Sequence, residues 1–169
     1  MMRAMFGYWC GGGVGCEGRS ALAILAPMYT GLKHFHSYVA YLVLLLVAFA
    51  FLHAVLSLVR DRPFTPTSRK YALFGLIAVH VQLLFGVLLY VVSPLGFGNL
   101  SGETMGNSLH RLYAVEHPLM MLIGVTLITI GHAKAKRAST DAAKFKAIAW
   151  FYGIGLVLVL SRVPWQAWP

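Results

Sequence analysis

YVAYLVLLLVAFAFLHAVLSLV, residues 38–59, runs for twenty-two residues without an aspartate, glutamate, lysine or arginine. A helix that crosses the hydrocarbon core of a bilayer needs about 20 mostly apolar residues, and this stretch supplies them with one interruption, His53. Lys33 precedes it and Arg60-Asp61-Arg62-Pro63 ends it. The segment is apolar on nearly every side and too long for the roughly ten-residue alternating strand of a transmembrane barrel. It predicts a membrane-spanning helix.

Working outward, the same reading applies three more times. A second span runs from about Tyr71 to Val92, opened by Arg69-Lys70 and closed by Ser93-Pro94-Leu95-Gly96. A third covers about Leu112 to Ile130, and a fourth about Ala147 to Leu160, extending towards Val163. Of the 169 residues, 59% are hydrophobic and 11% charged, and the mean hydropathy is +0.71. A soluble domain of this size cannot hide that much apolar surface. The expected fold is all-α: a four-helix transmembrane bundle with no room for a soluble domain. The sequence has no Gly-rich phosphate loop, no Gly-x-Ser-x-Gly elbow, no His-Glu-x-x-His pair and no Cys-x-x-Cys-His haem attachment. Hydrolases and ATPases are therefore poorly supported.

The net charge of +9 is concentrated in two loops. One carries Arg60, Arg62, Arg69 and Lys70, the other Lys134, Lys136, Arg137, Lys144 and Lys146, whereas residues 93–110 hold only Glu103. The positive-inside rule puts both basic loops in the cytoplasm and both termini on the outer, periplasmic side. The charge then reads as topology plus contact with anionic lipid, and not as nucleic-acid binding.

Residues 1–27 differ in character. They hold a Gly-Gly-Gly run, Cys10 and Cys16, and an apolar stretch, Ala21 to Ala26, too short for a signal-peptide core. They are expected to be a disordered tail or an overlong gene model, with residues 28–169 as the transmembrane domain. Two cysteines without a second pair are a weak sign of a metal or disulfide site.

The seven histidines sit in the apolar segments or at their rims. An ionisable side chain inside a membrane is expensive and marks a candidate site. At about 1.5 Å per residue, His36 lies roughly 5 Å beyond Lys33 and His117 roughly 9 Å beyond Arg111, so the two are candidates for one outer layer. His53, about 10 Å before Arg60, and His80, about 15 Å after Lys70, are candidates for an inner layer. Imidazoles facing each other from different helices of a bundle can hold haem b, the axial ligands being a main lever on the iron's potential. The bland alternative is that His53 and His80 bond helix to helix. His34, His110 and His132 lie near the rims, where water solvates them.

His117 is flanked by Glu116 and Pro118, so a carboxylate, an imidazole and a backbone kink coincide. Arg111 is a candidate partner for a haem propionate and Glu116 for a proton or a polar ligand; alternatively, the two pair with each other. Met120 and Met121 are thioether candidates for an axial or copper ligand, although methionines at such positions are mostly core. His110, His117, Gly124 and Gly131 recur every seven residues, and Gly75, Gln82 and Gly86 share a face of span two. These grooves suit a flat macrocycle, but small residues at such spacings are also ordinary helix packing. His36 to His53 is seventeen residues, too long an interval for a dihaem cytochrome b of the bc type.

MYTGLKHFHSYVAYLVLLL from Met28, AVHVQLLFGVLLYVVSP from Ala78, NSLHRLYAVEHPLMMLIGVTLITIGHAKAKRA from Asn107 and KAIAWFYGIGLVLVLSRVPW from Lys146 resemble a family of short four-span bacterial membrane proteins catalogued as cytochrome B-like. The resemblance covers nearly all of residues 28–165. Its matching positions are His36, His80, Gln82, Arg111, Glu116 and His117. It implies a b-type haem protein of the bacterial inner membrane, with one or two haems, passing electrons between the quinol pool and a redox partner protein or larger complex. Two other readings stay open: a haem-free structural or assembly subunit, and an enzyme resembling the four-span protoporphyrinogen oxidases. An electron-transfer subunit is favoured over a stand-alone enzyme.

Overall fold

A computed structural model describes residues 15–165, with side chains from Pro27 onward. Of the segment set apart above, residues 1–14, including Cys10, lie outside the described residues, and so does the side chain of Cys16. The described chain is helical: α1 (Gly15–Val59), α2 (Pro66–Val92), α3 (Gly102–Gly106), α4 (Ser108–Arg111), α5 (His117–Arg137) and α6 (Asp141–Ser161). A short 3₁₀ turn, Phe97–Asn99, precedes α3, and a π-helical turn, Leu112–Glu116, joins α4 to α5. Four segments are long and apolar enough to cross a membrane: Pro27–Val59, Pro66–Val92, Ser108–Arg137 and Asp141–Ser161. Each exceeds the span expected from hydropathy, because the helices continue through their polar ends.

Local chemistry sets those ends. Span one stops where Asp61 takes a positive φ of 44° and the Arg62 N–H reaches back to the Ser57 carbonyl at 2.9 Å, a left-handed C-terminal cap. Thr65 caps α2, its hydroxyl accepting from the Ser68 N–H, with Pro66 in the first turn where no donor is lost. Thr140 caps α6 in the same way through the Ala143 N–H. Ser93 ends α2, and Pro94 cannot extend it.

The four spans form an antiparallel ring in chain order, each packed against its two sequence neighbours, with span four closing back onto span one. The seam between α5 and α6 is the most intimate and that between α2 and α5 the loosest. Lipid is as apolar as leucine, so hydrophobicity does not drive these helices together; close packing of small side chains does. The inward faces show it. Val43, Val47, Ala50, Ala54 and Ser57 are buried along span one, and Ser68, Ala72, Gly75 and Val79 along span two. Leu42, Leu45, Phe49, Leu52 and Leu56 point outward instead. Those inward positions recur at three- and four-residue steps, the seam of a left-handed bundle.

Tyr152 fills the middle. Its ring is fully buried and its hydroxyl donates to the Ala72 carbonyl at 2.7 Å. Ala72 and Gly75 leave room for it: a Cβ on Gly75 would lie 3.3 Å from the tyrosine ring. Between spans three and four the backbones nearly touch. A Cβ on Gly124 would sit 3.2 Å from the Gly155 carbonyl, and one on Gly131 would meet Phe151 Cβ at 2.4 Å. The Gly124 and Gly131 positions therefore serve helix packing, as small residues in membranes commonly do. The expected stripe running from His110 through His117 is not continuous, because the π turn inserts an extra residue between them.

Candidate functional site

Pro118 shapes the end of the bundle opposite the two basic loops. It has no N–H to give the carbonyl four residues back, and that carbonyl, Ala114, instead accepts a hydrogen bond from the Tyr90 hydroxyl on span two at 2.8 Å. The widened turn upstream lets the His117 N–H reach the Leu112 carbonyl. Bulges of this kind re-aim a side chain at the cost of one regular turn. Here the residue re-aimed is His117.

Its imidazole meets that of His36 across the bundle. The ring centroids are 6.4 Å apart at an interplanar angle of 78°, with His36 on span one and His117 on span three, diagonal members of the ring. His117 Nδ1 donates to the Arg162 carbonyl at the end of α6, at 2.8 Å. A carbonyl only accepts, so this bond fixes the proton on Nδ1 and leaves the Nε2 lone pair free. His36 is held through its backbone: the Gln82 side-chain amide donates to the His36 carbonyl at 2.7 Å. Gly86, one turn further along span two, lies against the His36 ring, where a Cβ would come within 3.1 Å of Cε1. Two buried polar atoms there have no hydrogen-bond partner among the described residues, His36 Nδ1 and Gln82 Oε1. Leaving such a group unpaired costs about 1–3 kcal/mol.

A charged cluster rims this pair. Glu116 accepts from Arg111 Nε at 2.8 Å and faces Arg162 Nε at 3.3 Å, while the Arg111 guanidinium also donates to the Met105 carbonyl at 2.8 Å. Of the two partners expected for Arg111, the structure supplies Glu116. Two arginines against one carboxylate leave the cluster one positive charge in excess.

Compared with known protein families, curated proteins and solved structures, the chain matches none. The geometry has to speak for itself.

His53 and His80 are not brought together. His53 Nε2 lies 3.0 Å from the Ser68 hydroxyl, which is itself bonded to Thr65 at the cap of α2, and its ring is surrounded by Phe49, Tyr71 and Phe145. His80 is twelve residues beyond Ser68, about 18 Å along the same helix. Its Nδ1 donates to the Leu76 carbonyl at 2.8 Å, and its Nε2 is 3.4 Å from the Thr129 hydroxyl on span three. The expected inner layer is therefore not formed: His53 lies level with the cap of α2, while His80 sits about three turns further along that helix and is exposed. Among the described residues, no three His, Cys, Asp or Glu side chains converge as they would on a free metal ion.

Two features of the opposite end bear on whether its residues could hold a haem. His36 Nδ1 is a buried ring nitrogen with no hydrogen-bond partner among the described residues. Gly86 lets the backbone of span two approach the Cε1–Nδ1 edge of that ring, which a side chain would crowd. Arg162 and Tyr90 are the residues that sequence reasoning overlooked. Arg162 was legible as an arginine terminating an apolar run at the same end as Arg111 and Glu116, and Tyr90 only through the carbonyl that Pro118 leaves open.

Proposed function

We propose that this chain is a b-type cytochrome-like protein of the bacterial inner membrane, in which His36 and His117 would hold one haem b. The observation that carries the reading is the facing pair of imidazoles on diagonal helices, with His117 held by the Arg162 carbonyl in the tautomer that leaves Nε2 for a ligand. Such an outer hydrogen bond orients a ligating imidazole and raises its basicity. When bound, haem supplies a one-electron couple whose potential the protein sets through its ligands and surroundings. Gly86 packs against the edge of the His36 ring, Gln82 holds the His36 backbone in place, and the cationic excess of Arg111 and Arg162 over Glu116 would suit the acidic propionates. The resemblance to short cytochrome B-like membrane proteins points the same way.

On this reading the basic loops face the cytoplasm, both termini face outward, and the protein passes electrons between the quinol pool and a redox partner protein within a larger complex. His53 and His80 act in helix packing, so a single haem is expected. The test is a reduced-minus-oxidised absorption spectrum of the detergent-purified protein together with a pyridine haemochrome count. A b-type α-band with one haem per chain supports the reading. Haem-free protein from haem-replete cells would point to a packing or assembly subunit, and oxidation of protoporphyrinogen by the pure protein would point to an enzyme.

A further inference from the structure

The loosest seam of the bundle opens at the basic end. A cleft of about 570 Å³ lies there between spans two and three, continuous with one of about 620 Å³ that reaches span four. Arg69, Leu73 and Leu76 form one wall, spaced by four and three residues and so on one face of α2. Thr129, His132, Lys136 and Arg137 form the other, again on one face of α5. Because the helices are antiparallel, the walls match in depth. Arg69 stands opposite Lys136 and Arg137 at the mouth, and Leu73 and Leu76 continue about 10 Å further in alongside His132 and Thr129. The cleft is cationic at the rim and mostly apolar inside.

None of those three mouth cations takes part in an ion pair among the described residues, where the basic end's only ion pair is Lys144 with Asp141. His132 Nδ1 is buried with no hydrogen-bond partner among the described residues. A water-soluble anion would satisfy the cations and leave the apolar walls unused; a neutral lipid would do the reverse. One chemistry uses both.

We infer that this cleft is a binding site for an anionic phospholipid, whose phosphate is held by Arg69, Lys136 and Arg137 and whose acyl chain lies along Leu73 and Leu76. Basic pockets between transmembrane helices at the cytoplasmic surface are suited to anionic headgroups. The site is independent of the haem reading, since it lies at the other end of the bundle and shares no residue with it.

The test counts lipids retained by the whole protein in native mass spectrometry after exchange into micelles containing phosphatidylglycerol or phosphatidylcholine. Phosphatidylglycerol is expected to be retained at one or two copies per chain and phosphatidylcholine not. The triple variant Arg69→Gln, Lys136→Gln, Arg137→Gln is expected to weaken that retention about tenfold or more. The control is Lys134→Gln with Lys146→Gln, charges at the same end that do not line the cleft, and it should retain the lipid. Equal loss in both variants would show a diffuse leaflet attraction and overturn the site. Displacement of the lipid by millimolar inorganic phosphate would show an anion site without the acyl component and would also overturn it.

Discussion

The two ends of the bundle each hold a histidine on span one, and they use it differently. At the basic end, His53 is anchored to Ser68 in a helix-cap network and boxed by three aromatic rings. At the opposite end, His36 has a buried ring nitrogen with no partner among the described residues, faces a second imidazole and lies against a glycine. Position in the span does not separate these cases. What separates them is the fate of each ring nitrogen. A membrane histidine bonded from helix to helix is helix glue; one with a buried nitrogen left open at the meeting of two helices is a candidate site.

The contrast can be broken or sharpened by substitution. The largest effect is expected at neither histidine but at the packed seam between α5 and α6: Gly131→Leu drives a side chain into Phe151, where even a Cβ would clash. Overpacking on that scale costs more than about 1–3 kcal/mol, and the variant should fail to yield monodisperse protein in size-exclusion chromatography. His53→Ala should destabilise the fold by about 1–3 kcal/mol in denaturant or thermal unfolding while leaving haem content unchanged. Gly86→Ala makes the complementary cut. It should leave unfolding nearly as in the parent while lowering haem content, because its Cβ presses on the His36 ring at 3.1 Å.

Smaller effects probe the frame around His117. Tyr90→Phe leaves the Ala114 carbonyl without its donor and should destabilise by about 1 kcal/mol, with the absorption spectrum retained. Glu116→Gln should change stability least, since its ion pairs are partly exposed. On the proposed haem reading, removing this negative charge should nonetheless raise the midpoint potential in a redox titration; an unchanged or lowered potential would place the haem elsewhere.

The helices were legible in the sequence because runs such as 38–59 carry no charge over a bilayer's thickness. Their inward faces were not legible from hydropathy, since Leu45 and Val47 are equally apolar and only one is buried. The better signal was size, as at Ala50, Ala54, Ala72 and Gly75, where small residues face in and large ones face lipid. At the candidate site, the meeting of His36 and His117 followed from counting residues inward from the charged ends. The tautomer of His117 did not, because its partner is a backbone carbonyl forty-five residues away, which no side-chain pattern announces. The supposed inner pair is not formed for a related reason: counting from the charged ends put His53 and His80 in one layer, whereas His53 meets Ser68 at the cap of α2 and His80 reaches Thr129 about three turns away.

The most direct measurement is haem per chain, by pyridine haemochrome, in four purified variants: His36→Ala, His117→Ala, His53→Ala and His80→Ala. The account predicts that the first two lose their haem and the last two keep it. Full haem in both His36→Ala and His117→Ala, with loss in either of the others, would contradict it.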